Sequence, residues 1–149
     1  MSTLIQQADL SSRAQTAPPP TWLGSQPGRV DPLVDRALAL AKVGAWSCNL
    51  SDNGLSWTSG VYDIFGLPRE TAVDRRQALD MYTDESRDAL ERLRTDAIAR
   101  GGIFTLDAQV KRADGAMRWM RIHGEMIHRV GEAPILQGVK QDVTEEKQR

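Results

Sequence analysis

A chain of 149 residues with 40% hydrophobic and 26% charged residues is long enough to bury the core of one globular domain. The formal net charge of -1 excludes a strong overall field that would attract nucleic acid or an anionic membrane surface. The single cysteine, Cys48, excludes an intrachain disulfide and fits a reducing compartment. The sequence contains neither an apolar run of membrane-spanning length nor a signal-peptide pattern, so we expect a cytoplasmic protein.

Residues 1–30 have a different composition from the rest of the chain. Three successive prolines at 18–20 forbid a helix, and few apolar residues are present to offset the entropy of ordering this segment. We therefore predict a disordered Pro-rich tail. Trp22 is interpreted as a solvated loop aromatic, with docking on the domain or on a partner as the alternative.

A flanking helix is predicted over residues 31–42. Asp31 can cap it, Pro32 fits the first helical position, and Gly44 is predicted to end it. Apolar residues recur at helical spacing, namely Leu33, Val34, Ala37, Leu38 and Ala41.

Two strands and two helical segments follow. The stretch "AWSCNL" alternates, Asn53-Gly54 is a hairpin signal, and "LSWT" is predicted to return as the second strand. A short helix is then predicted from a cap at Ser59 to Gly66. Residues 69–83 look irregular, with one helical turn near 75–79.

A longer helix is predicted to begin at a cap at Thr83 or Asp84 and to end at Gly101. Its buried face comprises Leu90, Leu93, Ala97 and Ile98. Its alternating acidic residues and arginines are interpreted as a solvated surface.

Three more strands complete the pattern. They are predicted in the stretches "GIFTLDAQVKR", "AMRWMRIHGEMIHR" and "ILQGVKQDV". Tight turns join them, which predicts an antiparallel sheet with helices on one face and therefore an α+β fold. On the second of these strands, alternation predicts Met120, Ile122 and Met126 inside and Trp119 and Ile127 outside. The final residues, 145–149, have the composition of a helix start.

Four stretches in this order resemble the bacterial sensor branch of the PAS family. They are "GAWSCNLSDNGLSWTSGVYDIFGL", "YTDESRDAL", "RADGAMRWM" and "GVKQDVTEEKQR". The resemblance places a PAS domain at residues 43–144, followed by the start of an output or linker helix. It implies a five-stranded antiparallel sheet with short helices on one face, and here the N-terminal helix is expected to flank the other face.

The resemblance also implies a function. Such domains sense a ligand or partner, dimerise, and are coupled to an output; they do not catalyse reactions themselves. In this family the Asp142-x-Thr144 exit links the sheet to the outgoing helix. We expect Asp142 to hold the strand end and Thr144 to cap that helix.

Two common PAS cofactors are not indicated. The long helix lacks the histidine that ligates haem in haem-binding members, and Cys48 lies on the first strand rather than in the helical Asn-Cys-Arg motif of flavin members. His123 and His128 lie five residues apart on one predicted strand, so they face opposite sides and cannot share a metal. The cofactor, if there is one, is unknown.

A small apolar ligand is one interpretation of the predicted interior; a plain core is the other. Methionines fill gaps in cores and adapt to ligands equally well. In addition, Cys48 stands where this branch often has a second Trp, which can leave room. The pocket candidates are Ile64, Met81, Leu90, Leu93, Phe104, Leu106, Met120, Ile122 and Met126.

The outer face of the sheet is the predicted interface. Trp119 and Ile127, with Trp46 if its strand is so oriented, need a cover, and the helix carrying Leu33 and Leu38 can supply it within one subunit or across a homodimer. Partner binding and a simple extension of the core are the alternatives. The chain is thus a sensory module joined to an output domain, a sensory fragment of a histidine kinase or cyclic-dinucleotide enzyme, or a free-standing adaptor for a separate signalling protein.

Overall fold

The computed structural model describes residues 31–149, so the predicted Pro-rich tail and Trp22 lie outside the described residues. Its strands are β1 (Val43–Asn49), β2 (Gly54–Trp57), β3 (Ile103–Lys111), β4 (Met117–Ile127) and β5 (Ile135–Asp142). They form one sheet in the order β2-β1-β5-β4-β3, with every neighbouring pair antiparallel. The predicted α+β architecture with a five-stranded antiparallel sheet is confirmed.

The helices are α1 (Pro32–Leu40), α2 (Ser59–Phe65), α3 (Arg75–Asp80), α4 (Asp84–Arg100) and α5 (Thr144–Lys147). Local sequence explains most of their ends. Asp31 accepts hydrogen bonds from the backbone at the start of α1, and Thr83 does the same for α4. Gly66 and Gly101 adopt the left-handed conformation that terminates α2 and α4.

The core lies between the helices and one face of the sheet, called the inner face here. Register places alternate residues of all five strands on that face, because directly paired residues in an antiparallel sheet share a side. The fully buried side chains there and on α2 include Phe65, Met120, Ile122 and Leu136.

Two local predictions are wrong. Gly44 does not end the first helix: α1 ends at Leu40, Lys42 reverses the chain with a positive φ of 59°, and Gly44 lies within β1. The cap of α2 is Thr58 rather than Ser59, and the hydroxyl of Thr58 instead accepts a hydrogen bond from the Ala45 backbone at 2.9 Å.

The first helix, α1, was predicted to cover the outer face at Trp119 and Ile127 within one subunit or across a homodimer; the one-subunit form is not seen among the described residues, and the homodimer form stays a prediction. Within the described residues, α1 packs mainly on α2 and on β1. Asp35 fixes it there by accepting hydrogen bonds from the backbone N–H and the hydroxyl of Ser59 at 2.7 and 2.5 Å. Trp46 is also not an outer residue, since it is buried in the inner core.

Candidate functional site

Lys140 lies on the inner face of β5, in the middle of the sheet. It pairs with Ile122 on β4 and with Gly44 on β1, and it is only 7% exposed. A lysine this deeply buried is unusual, because removing an ammonium from water is costly unless other groups compensate. The residues around Lys140 are therefore a candidate functional site.

Aromatic rings surround the Lys140 ammonium. Its Nζ lies 5.2 Å from the ring centroid of Trp46, 5.6 Å from that of Trp57, 5.3 Å from that of Phe65 and 5.9 Å from that of Tyr82. These distances are within the range of cation–π attraction, which partly offsets the loss of hydration. The rings also pack on one another, with Trp57 stacked on Phe65 at 4.9 Å.

Polar compensation for Lys140 is sparse. Nζ donates one hydrogen bond, to the hydroxyl oxygen of Tyr82 at 3.2 Å. In the described part of the chain no carboxylate lies within ion-pairing distance of it. Burial therefore lowers the pKa of Lys140 to about 7, with a smaller contribution in the same direction from Arg75. Burial likewise raises the pKa of Tyr82, so its phenol stays protonated.

A cavity of about 50 Å³ opens beside this cluster. It is large enough for a few water-sized groups rather than for a large cofactor. Its basic lining residues are Arg75, Arg94 and Lys140, and among the described residues no aspartate or glutamate lines it. Cys48 also lines the cavity.

The predicted pocket residues are only partly brought together here. Leu90, Phe104 and Ile122 line the cavity. The others belong to the surrounding core: Ile64 and Met120 are buried in it, and Met81, Leu93, Leu106 and Met126 pack against it half-buried. The ligand role of the whole set stays a prediction.

Sequence reasoning missed Lys140 and Tyr82. A signal for Lys140 was present, because it stands four residues after Leu136 on a strand with a period of two, which places both on the same face. Tyr82 had no comparable signal. It precedes the cap of α4, and only the tertiary fold brings it to β5.

A second group of functional candidates lies where β5 ends. The Oδ1 atom of Asp142 accepts a hydrogen bond from the backbone N–H of Thr144 at 2.9 Å. The prediction that Thr144 caps the outgoing helix is wrong: Val143 is the cap residue and supplies no side-chain bond. The Thr144 hydroxyl instead accepts from the backbone N–H of Trp119 on β4 at 2.9 Å.

Charged side chains hold α5 against the outer face of the sheet. Arg121 forms ion pairs with Asp107 and Glu146, each at 2.8 Å. Lys147 contacts Asp107 at 2.9 Å and lies 5.1 Å from the centroid of the Trp119 ring. Hydrogen bonds from Arg121, with a further one from Lys147, lower the pKa of Asp107 to about 2.

The predicted interface residues are spread over two surfaces. Leu33 is 75% exposed on α1, whereas Leu38 is half-buried. Trp119 and Ile127 are half-buried on the outer face, roughly 26 Å apart along β4 by strand geometry. Lys147 of α5 covers the Trp119 ring, which was predicted to be covered by α1.

Neither histidine forms part of a metal site. His123 faces outward on β4, with its Nδ1 3.4 Å from the Thr105 hydroxyl. Within residues 31–149, no cluster of three or more His, Cys, Asp or Glu side chains is arranged to hold a metal ion. Over the same range, no helix has the length and apolarity required to cross a membrane.

Comparison with known proteins identifies a family and two curated relatives. Residues 54–139 match the family described as the PAS fold. The chain is 28% identical over 108 residues to a blue-light-activated histidine kinase of Brucella anthropi, covering 72% of this chain and 22% of the kinase. It is 23% identical over 106 residues to a probable diguanylate cyclase, DgcE, of Escherichia coli, covering 71% of this chain and 10% of the cyclase.

Solved structures share the fold. A sensory box histidine kinase/response regulator from Burkholderia thailandensis has a TM-score of 0.64 at 18% identity, covering 77% of this chain and 87% of that structure. The N-terminal domain of a diguanylate cyclase with PAS/PAC sensor from Marinobacter aquaeolei also has a TM-score of 0.64, at 16% identity, covering 70% of this chain and 98% of that domain. The chain therefore corresponds to a small part of its curated relatives and to nearly the whole of the isolated domain.

Proposed function

The chain belongs to the PAS fold family, and we propose that it is a cytoplasmic sensory and dimerisation module that passes a signal from the cavity beside Lys140 to an output through Asp142 and Thr144. Homologous segments in a histidine kinase and a probable diguanylate cyclase support the sensory role. The domain itself has no catalytic role in this proposal; a kinase or cyclic-dinucleotide enzyme would be the attached output.

One observation carries the proposed relay. Lys140 and Asp142 are two residues apart on β5 and face the same side of the sheet, so the cavity and the exit joint share one rigid strand. From Asp142 the connection continues through one hydrogen bond to Thr144. A change at Lys140 can therefore shift the end of β5 and with it the direction of α5.

Fusion of the chain through α5 to a histidine kinase effector tests the relay. We expect Asp142→Ala to abolish the dependence of kinase output on the stimulus while the circular dichroism spectrum and melting transition persist. Asp96→Ala is the matched control, because Asp96 makes only a surface ion pair with Arg100 on α4. Unchanged stimulus dependence in Asp142→Ala would refute the relay.

Dimerisation through α1 is supported by its apolar surface, which is exposed among the described residues. Leu33 and Leu40 are 75% and 80% exposed, and Val34 lies beside Leu33 in the sequence with 43% exposed. A second copy of α1 could bury these side chains at a gain of roughly 25 cal/mol per Å². Neighbouring α1 helices would also place the two α5 starts near one another, since Lys42 pairs with Glu145 at 3.3 Å.

Sedimentation equilibrium measures the dimerisation directly. We expect a dimer for the unmodified chain and a dimer dissociation constant at least about tenfold higher for Leu33→Asp, a loss of about 1.4 kcal/mol. Val130→Asp provides the control, because Val130 is fully exposed in the turn before β5. Equal dimerisation of Leu33→Asp and the unmodified chain would exclude α1 as the interface.

A further inference from the structure

The inner cavity contains buried hydrogen-bond donors that lack acceptors. Lys140 is 7% exposed and donates a single hydrogen bond to the part of the chain that the structure describes, although an ammonium has three donors. Tyr82 uses its oxygen to accept that bond, and within residues 31–149 its hydroxyl hydrogen has no acceptor. The Nε1–H of Trp57, a residue that also lines the cavity, is buried without a partner among residues 31–149.

The charge around the cavity has one sign. Arg75 and Arg94 line it together with Lys140, and no acidic side chain among the described residues does so. Arg75 is neutralised by an ion pair with Glu91, whereas Arg94 hydrogen-bonds to the neutral Asn53 amide at 3.0 Å and lies beside the Cys48 thiol, with no ion pair to a carboxylate among the described residues. An excess of donors and positive charge in a buried cavity favours a ligand that accepts hydrogen bonds and carries negative charge.

Size and apolar lining restrict the ligand further. About 50 Å³ accommodates roughly three to five non-hydrogen atoms, each about the size of a water molecule. Trp46, Trp57 and Leu136 present apolar surface to the same space, which suits carbon atoms and is unfavourable for a fully hydrated dianion. A short organic acid meets both requirements.

We propose that this cavity binds the carboxylate of a small organic acid, with Nζ of Lys140 and the hydroxyl of Tyr82 donating to its oxygens and with Trp46 and Trp57 packing on its carbon atoms. The two donor atoms are 3.2 Å apart, close enough to reach one carboxylate together. The inference deepens the proposed sensory function, since it names the ligand class for the site from which the relay begins.

Binding of this kind is linked to protonation of Lys140. The titratable and charged groups facing Nζ are Cys48 from β1, Tyr82 from the segment before α4, Arg75 from α3 and Arg94 from α4; Glu91 of α4 does not line the cavity but pairs with Arg75. A bound carboxylate raises the pKa of Lys140 above its value of about 7 in the free protein. Affinity is therefore constant below about pH 7 for as long as the acid stays ionised, and it falls by up to tenfold per pH unit above about pH 7.

Calorimetry and heteronuclear NMR titration of the full chain without an effector test the proposal. The probes are acetate and propionate, each paired with its neutral amide, acetamide or propionamide, at up to about 50 mM. We expect both acids to bind at least about tenfold more tightly than their amides at pH 6.5, with shifts at Lys140 and Tyr82. Equal binding of acid and amide, no acid binding, or equally tight binding of chloride and inorganic phosphate would overturn the carboxylate assignment.

Variants locate the binding. Lys140→Met keeps the length of the side chain and should weaken acid binding at least about tenfold, whereas Lys111→Met, at an exposed position of β3, should leave it unchanged within about twofold. Tyr82→Phe, which removes only the hydroxyl, provides a second variant if Lys140→Met alters the fold. Acid binding that survives both substitutions places the ligand elsewhere. Because no effector is present, such a failure removes the ligand class and leaves the Asp142 relay to its own experiment.

Discussion

The Thr144 hydroxyl takes the place of a sheet hydrogen bond for Trp119. The strand β5 ends at Asp142, opposite Met120, so Trp119, the residue of β4 that precedes Met120, has no β5 residue within the ladder to accept its N–H. Thr144 supplies its Oγ1 atom at 2.9 Å, and the Val143 N–H donates to the Trp119 carbonyl at the same distance. The start of α5 is thereby joined to the sheet through both backbone groups of Trp119.

Removal of that hydroxyl should loosen the joint. Thr144→Val keeps the shape of the side chain but leaves the N–H of Trp119 without an acceptor in a half-buried position. We expect a loss of about 1–3 kcal/mol in the free energy of unfolding and faster amide exchange at Trp119. Urea denaturation and hydrogen exchange measure both. Thr95→Val on the exposed side of α4 is the control, and an equal effect of the two substitutions would contradict the special role of Thr144.

Asp107 should govern the docking of α5 in acid. Its pKa is lowered below the unfolded value, so its contribution to stability is complete above about pH 4 and is lost as the pH falls to about 2. Asp107→Asn removes the carboxylate that contacts both Arg121 and Lys147. We expect this variant to show faster exchange of α5 amides at neutral pH and a smaller loss of stability between pH 4 and 2.

The same experiment on Asp96→Asn provides the reference. Asp96 pairs with Arg100 at the surface of α4 and should contribute little. If the two variants have the same acid denaturation profile, the Asp107 network does not hold α5.

Lys140 should lower stability in the absence of a ligand. Its pKa of about 7 lies below the unfolded value of 10.5, so the unfolded chain binds more protons between these limits and stability rises with pH across them. We expect Lys140→Met to be more stable at pH 6, by a few kcal/mol in order of magnitude, and to lack the rise between pH 7 and 10. Thermal denaturation across this pH range checks it, and a decrease in stability on substitution at pH 6 would be the contrary result.

Gly138 should tolerate no side chain. A Cβ there would overlap the carbonyl oxygen of His123 on β4, the same oxygen that accepts a hydrogen bond from the Trp46 indole at 3.2 Å. We expect Gly138→Ala to cost about 1–3 kcal/mol or more, since strands of the sheet must move apart. Gly102→Ala is the control, because nothing lies within 4 Å of its Cβ position and its φ is not positive. Comparable stability of the two variants in urea would contradict this explanation.

The sequence alone determined the order and type of the elements. Period-two alternation, the glycines at helix ends and the turn residues act over a few neighbouring positions, so β1 to β5, α2 and α4 could be predicted without coordinates. Those same local rules placed Met120 and Ile122 inside. The family whose fold the structure has was indicated separately, by the resemblance of four sequence stretches to PAS domains.

Only the tertiary structure decided where the distant parts meet. Nothing local indicates that Tyr82 and Trp57 approach Lys140, because 58 residues separate Tyr82 from it along the chain. The packing of α1 on α2 depends on the hydrogen bond between Asp35 and the backbone N–H of Ser59. The hydroxyl of Thr144 accepts a hydrogen bond from the Trp119 N–H because β5 ends before it reaches the position opposite Trp119. Such contacts result from the summed packing of the sheet and helices, and no short pattern of residues encodes them.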